Sequence, residues 1–253
     1  VPRSRAGPLA AWATAWLGNR VAPDDVVAAV RAGDAAHRVD GLGLDSLYEV
    51  FGAWRRTTLP GETVRLVLPV AGDVRGLPGP AEFRTAALEA GEAVCGGGLG
   101  LVPEVVDHSP SSAPTDVTWL AYAIDPTPID HVQLTEAQYD LATAIRASAT
   151  ALSDAEVAGW VAGIAPDLQS ARRAGERLNL PPGFPPRAVN LLAQAERVQA
   201  VLDLADLDPV GGAIDQHGVA AQRAALQPLA AAVRRARLAG YNAAAEVGNM
   251  DET

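Results

Sequence analysis

The sequence predicts an α+β protein with a small, mainly antiparallel sheet in its N-terminal half and packed helices in its C-terminal half. Three observations predict it. Thr63–Val70 (TVRLVLPV) and Asp116–Ile124 are short β-branched or alternating runs bounded by turn residues. Glu92–Val106 (EAVCGGGLGLVPEVV) holds too many glycines for a helix and reads as two strands joined by a tight glycine turn. Beyond Asp130 the apolar spacing becomes helical.

The elements follow in order. Pro8 to Arg56 reads as three helices. Pro8 suits a first turn, and Pro23, Asp24 and Asp25 open the second helix, where proline and acids belong. Asp45 caps the third, whose Leu47, Val50, Phe51 and Trp54 form one apolar stripe. In the first helix Leu9, Trp12 and Trp16 share a face. Arg3 and Arg5 before Leu9–Leu17 have the outline of a signal segment, but two bulky tryptophans in so short a run favour an amphipathic helix. After the Thr63–Val70 strand come a Gly/Pro loop, a helix over Ala81–Ala90 started at Pro80, the glycine hairpin and the strand around Trp119. The strands lie too close for βαβ crossovers throughout, so the sheet is expected to be mainly antiparallel.

Asp125–Asp130, with Pro126 and Pro128, reads as a linker between a mixed region (1–130) and a helical region (131–253), the two forming one compact body. Thr135 with Gln138 and Ser153 with Glu156 have the spacing of capping boxes. Leu141, Ile145 and Leu152 share one face of the first of these helices, and Pro166 interrupts the second. The prolines at 181, 182, 185 and 186 precede a long helix over Arg187–Leu207, with Leu191, Leu192, Ala195, Val198, Leu202 and Ala205 inward; Gly211 and Gly212 end it. A last helix spans Val219–Glu246, kinked or restarted at Pro228.

Composition excludes several functions. The net charge is -10, which opposes non-specific nucleic-acid binding. The one basic cluster, Arg234, Arg235 and Arg237, reads as a solvated face near a helix C-terminus. No apolar run reaches the roughly 18 residues of a spanning helix. All 20 basic residues are arginine. Without lysine there is no P-loop, pyridoxal, protein-kinase or serine β-lactamase site of the usual form. No Gly-x-Ser-x-Gly elbow and no aromatic-basic RNA-binding strand is present. One cysteine allows neither an internal disulfide nor a multi-cysteine zinc site and fits a cytoplasmic protein.

Some residues remain as candidates. Cys95 beside Gly96, Gly97 and Gly98 is either a nucleophile or a buried structural thiol. Gly96–Gly100 is not a dinucleotide fingerprint, because Leu101 takes the last glycine's place. Two Asp-His pairs, Asp107-His108 and Asp130-His131, flank the Trp119 strand and would act as ligands or acid-base groups only if they converge. Asp203, Asp206 and Asp208 crowd a helix C-terminus, where acids oppose the dipole, but match no EF-hand loop. No metal site and no cofactor is assigned.

Gly43-Leu44-Asp45-Ser46-Leu47 resembles the attachment motif of acyl and peptidyl carrier proteins. That resemblance implies a phosphopantetheine on Ser46 at a helix start. The chain departs from it after Ser46, where Arg55, Arg56 and a strand stand in place of an acidic helix and further helices; the alternative is a Ser or Asp helix cap. The strings LPGPAEFRTAALEAGEAV (77–94), DPVGGAI (208–214) and ALQPLAAAVRRARLAG (225–240) resemble uncharacterised proteins of GC-rich Gram-positive bacteria, a resemblance that implies no function.

The leading expectation is a non-catalytic cytoplasmic protein of unknown function that acts through protein-protein contacts, with a protein partner or a second copy of itself, and with neither nucleic acid nor membrane. The alternative is a small-molecule-binding protein or enzyme using the sheet loops around Cys95, His108 and His131. A carrier-like site at Ser46 is a third.

Overall fold

The structure, a computed structural model, describes residues 4–31, 33–59, 61–106, 115–125, 132–154, 178–207 and 216–243. Among these the chain forms α1 (Ala6–Leu17), α2 (Pro23–Arg31), β1 (Ala36–Asp40), α3 (Leu47–Thr57), β2 (Arg65–Val67) and α4 (Ala81–Ala90). Then follow β3 (Ala93–Gly96), β4 (Leu99–Val106), β5 (Asp116–Ala123), α5 (Leu134–Asp154), α6 (Pro186–Leu207) and α7 (Gln216–Asn242). The fold is α+β. Two compact units share the chain. One contains the sheet and comprises Arg3–His131, Asn179–Pro185 and Tyr241–Thr253; the other is helical and comprises Val132–Leu178 and Pro186–Gly240 with Val1–Pro2.

The sheet has the order β1-β5-β4-β3-β2, antiparallel except where β1 runs parallel to β5. Gly97 and Gly98 turn the β3–β4 hairpin with φ of 51° and 76°, the left-handed backbone that a two-residue primed turn requires. The register sorts the side chains. Val67, Cys95 and Val102 share one face with Phe83 of α4. Gly100 lies beneath that ring, and a Cβ there would stand 2.6 Å from it, so this face has room for α4 only because residue 100 lacks a side chain. Leu66, Val94 and Leu101 point to the other face, where α1 packs against β2 and β3.

Three expectations about this unit are corrected. β1 lies inside the stretch read as helical only. Its sequence, AHRVD, has one buried apolar residue, Val39, so it carries no strand period; pairing with β5 makes it a strand. β2 spans only Arg65–Val67 of the expected eight residues, since the Val64 carbonyl accepts the Thr14 hydroxyl (2.8 Å) and Pro69 has no N–H to give. α1 is buried on nearly every side, with Ala6, Leu9, Ala10, Ala11, Ala13 and Ala15 inaccessible, so it is a core helix and not an amphipathic one.

β2 is an edge strand. The Asn242 side chain occupies its outer side, accepting from the Leu66 N–H (2.8 Å) and donating to the Leu66 carbonyl (3.0 Å). One amide thus makes the two bonds a neighbouring strand would have made.

The helical unit is held by Leu141, Leu191, Ala195, Leu202, Val233 and Ala236 of α5, α6 and α7. α5 begins at Leu134, so Thr135 lies within its first turn and does not cap it, and Ser153 falls at its other end; Glu156 and Pro166 lie outside the described residues. α6 starts at Pro186, and α7 continues through Pro228 to Asn242. Glu246, Gly211 and Gly212 lie outside the described residues. Among the described residues no helix is long and apolar enough to cross a membrane.

Candidate functional site

A cleft of about 310 Å³ opens at the hairpin end of the sheet. The glycine turn builds one wall: Cys95, Gly96, Gly97 and Gly98 all line it. Thr57 at the end of α3 and Leu59, Glu62 and Thr63 of the chain between α3 and β2 also line it, and Ile124 and Asp125 continue from β5. The Ile124 N–H donates to the Gly98 carbonyl (2.9 Å), which ties the chain after β5 to the glycine turn.

Arg65 and Cys95 are direct partners in the β2–β3 ladder, so their side chains lie side by side on one face, and both line the cleft. Arg65 is half-buried; burial pulls its pKa down, opposed by the charge of Glu62. Cys95 is buried, and desolvation pushes its thiol up to about 12. At neutral pH the thiol keeps its proton, the less reactive form. Among the described residues, Trp54 Nε1 and Thr58 Oγ1 are buried without a hydrogen-bond partner. Thr58 Oγ1 reaches to 2.7 Å from where a Gly97 Cβ would sit, so it lies directly behind a lining residue.

The other candidates fall elsewhere. Asp107, His108, Asp130 and His131 lie outside the described residues. Ser46 is the N-cap of α3: its hydroxyl accepts from the Glu49 N–H (3.4 Å), while Glu49 accepts from the Asp45 N–H (2.6 Å). The cap is therefore Ser46 and not Asp45. Arg235 pairs with Glu136 (2.8 Å) and Asp140 (3.0 Å), and Arg237 with Glu196 (2.9 Å), so these arginines join helices of the bundle. Asp203 accepts from Gln199 (2.9 Å); Asp208 and the Asp206 side chain lie outside the described residues. Among the described residues no three His, Cys, Asp or Glu side chains are placed to hold a metal ion. The Trp12–Trp16 face is used within its own unit: Trp12 donates to the Asn179 carbonyl (3.1 Å), and Trp16 lies 5.3 Å from Phe51 with Arg55 4.2 Å over its ring.

Sequence reasoning missed one constellation. His37, in β1, has a side chain only 1% exposed. Its Nδ1 accepts from Trp119 Nε1 (3.1 Å), which leaves Nε2 protonated and donating to Asp34 (3.1 Å). Asp34 in turn takes two bonds from Arg5 (2.9 and 2.8 Å). Burial holds the His37 pKa below its ordinary value, against the pull of Asp34. For Asp34 burial works the other way, but the hydrogen bonds from Arg5 and His37 prevail and lower its pKa. Every ring nitrogen is satisfied and the imidazole is sealed, so the group acts as a tie between the N-terminal segment and two strands. The i, i+3 spacing of Asp34 and His37 was its one signal in the sequence.

Comparison with known proteins finds two family domains along the chain. Residues 6–134 match the N-terminal domain of the Rv1486c-like proteins, and residues 135–238 match their C-terminal domain. The uncharacterized protein Rv1486c of Mycobacterium tuberculosis (strain ATCC 25618 / H37Rv) is 36% identical over 281 residues, covering 93% of this chain and 95% of that protein. The uncharacterized proteins ML1804 of Mycobacterium leprae (strain TN) and MAV321 of Mycobacterium avium are 30% and 29% identical, with the same coverage. No solved structure matches the chain significantly. The chain belongs to the Rv1486c-like protein family and carries both of its domains.

Proposed function

We propose that the sheet unit is a small-molecule-binding module whose site is the cleft at the glycine hairpin. The observation that carries this reading is the cleft itself. It has a volume at the lower end of small-molecule sites, it is framed by a turn without side chains, and it contains a half-buried arginine. A protonated thiol in its wall favours binding over nucleophilic catalysis. Thermal-shift screening of a small-molecule library against the full chain tests it, with Thr63→Phe as the variant that fills the cleft. Compounds that raise the melting temperature of the natural chain and not of the variant are expected. No stabilising compound, or equal responses of both proteins, would overturn the reading.

A second reading keeps the expected protein-protein role and rests on Leu42. This residue stands between Gly41 and Gly43 at φ 55°, a backbone uncommon for leucine, with its side chain 56% exposed. Tyr48 close by in sequence is also exposed. A second copy of the chain docking there would account for a strained, exposed leucine. Sedimentation should then show a dimer that Leu42→Gly dissociates; a monomer at all concentrations eliminates this reading.

A further inference from the structure

We propose that the occupant of the cleft is a small zwitterion of the α-amino-acid class, with its carboxylate toward Arg65 and its ammonium toward Glu62 and Asp125. This rests on the cleft being a binding site and adds the chemistry of its ligand.

The inner end of the cleft is rich in donors. Arg65 lines it from β2, and a guanidinium has five N–H donors, so a neighbouring carboxylate does not exhaust it. A further buried group, the hydroxyl of Thr58, stands behind the Gly97 wall. A buried polar group left unpaired costs free energy, so the Thr58 hydroxyl marks a place that an acceptor from outside completes. A carboxylate seated on Arg65 brings acceptor oxygens to that wall, either directly or through a water.

The mouth has the opposite character. Glu62 and Asp125 line the cleft and are exposed. Glu62 uses one oxygen on the Leu59 N–H (3.0 Å). Two carboxylates at the entrance of a protein of net charge -10 repel polyanions, which sets nucleotides aside. A ligand anionic at its inner end and cationic at its outer end meets both demands. The volume fits a molecule of amino-acid or dipeptide size, and the thiol of Cys95 with Leu59 and Ile124 gives apolar contact to its side chain.

Calorimetric titration of the full chain tests the assignment. The probes are the common α-amino acids, then the best of them against its deamino acid and its decarboxylated amine, and ATP as a polyanion. The expected result is binding of one or more amino acids, at least about tenfold weaker binding when either charge is deleted, and no binding of ATP. Arg65→Gln is expected to lower affinity at least about tenfold. Should Arg65→Gln not fold, the exposed pair Glu62→Gln with Asp125→Asn supplies the test, removing the preference for the amino acid over its deamino acid. A cleft that takes neutral compounds or polyanions but no amino acid sinks the assignment and leaves the cleft reading intact. A cleft that takes nothing sinks both.

Discussion

The two ends of the sheet treat polar groups in opposite ways. At the β1 edge, Arg5, Asp34, His37 and Trp119 form a chain in which each buried donor meets an acceptor. At the hairpin end, Thr58 carries a buried hydroxyl without a partner, behind the wall of an open cleft. The first arrangement holds strands together. The second leaves local stability unclaimed, which is what the proposed binding role would require of groups that are to serve a ligand. A polar residue in a core therefore points to function only once its hydrogen bonds have been counted.

Substitutions should separate the two ends, and the largest effect belongs to the sealed one. Asp34→Ala leaves Arg5 and His37 without their shared partner and should cost about 2–4 kcal/mol of unfolding free energy, measured by denaturant titration. Ligand affinity at the cleft should not change; a loss of binding at native temperature would mean that the two ends are coupled. Asn242→Ala should cost about 1–3 kcal/mol by removing two bonds from the β2 edge, and should raise the rate of aggregation seen by light scattering.

Acid acts on the sealed end next. A histidine held below its ordinary value of 6.5 contributes stability that is complete above that value and fades as the pH falls from it toward the folded pKa. Asp34, lowered from 3.8, loses its contribution only below that value. The melting temperature should thus drop between about pH 7.5 and about pH 5, and His37→Gln, which keeps a donor and an acceptor but cannot take up a proton, should drop less. Parallel curves for the two proteins would show that His37 does not titrate in this range. The smallest effect is at the open end. Thr58→Val replaces an unpartnered hydroxyl by a methyl and should be neutral or stabilise by up to about 1 kcal/mol, while weakening ligand binding. A clear destabilisation would show that the hydroxyl has a water partner even in the empty cleft.

The sequence was readable where one residue type settled the local geometry. The glycine pair at 97 and 98 announced the hairpin, Pro80 the start of α4, and the spacing of Leu47, Val50, Phe51 and Trp54 the stripe of α3. β1 was not readable, because AHRVD owes its strand conformation to a partner some 80 residues away and not to its own pattern. The candidate cleft was half readable. Cys95 and its glycines do line a cleft, but Arg65 looked like one more residue of an alternating strand until the register set it beside Cys95. The network of His37 was invisible, since Trp119 and Arg5 reach it from distant parts of the chain.

The clasp of Asn242 on β2 also sets an order of events during synthesis. The two residues are 176 apart in the chain. At about 5–20 residues per second, the ribosome releases Leu66 roughly 9–35 seconds before the residue that covers it. Throughout that interval β2 has an open edge that any extended segment can join. Chains halted short of residue 242 would keep it open permanently, and protection of nascent chains would matter most over that last stretch.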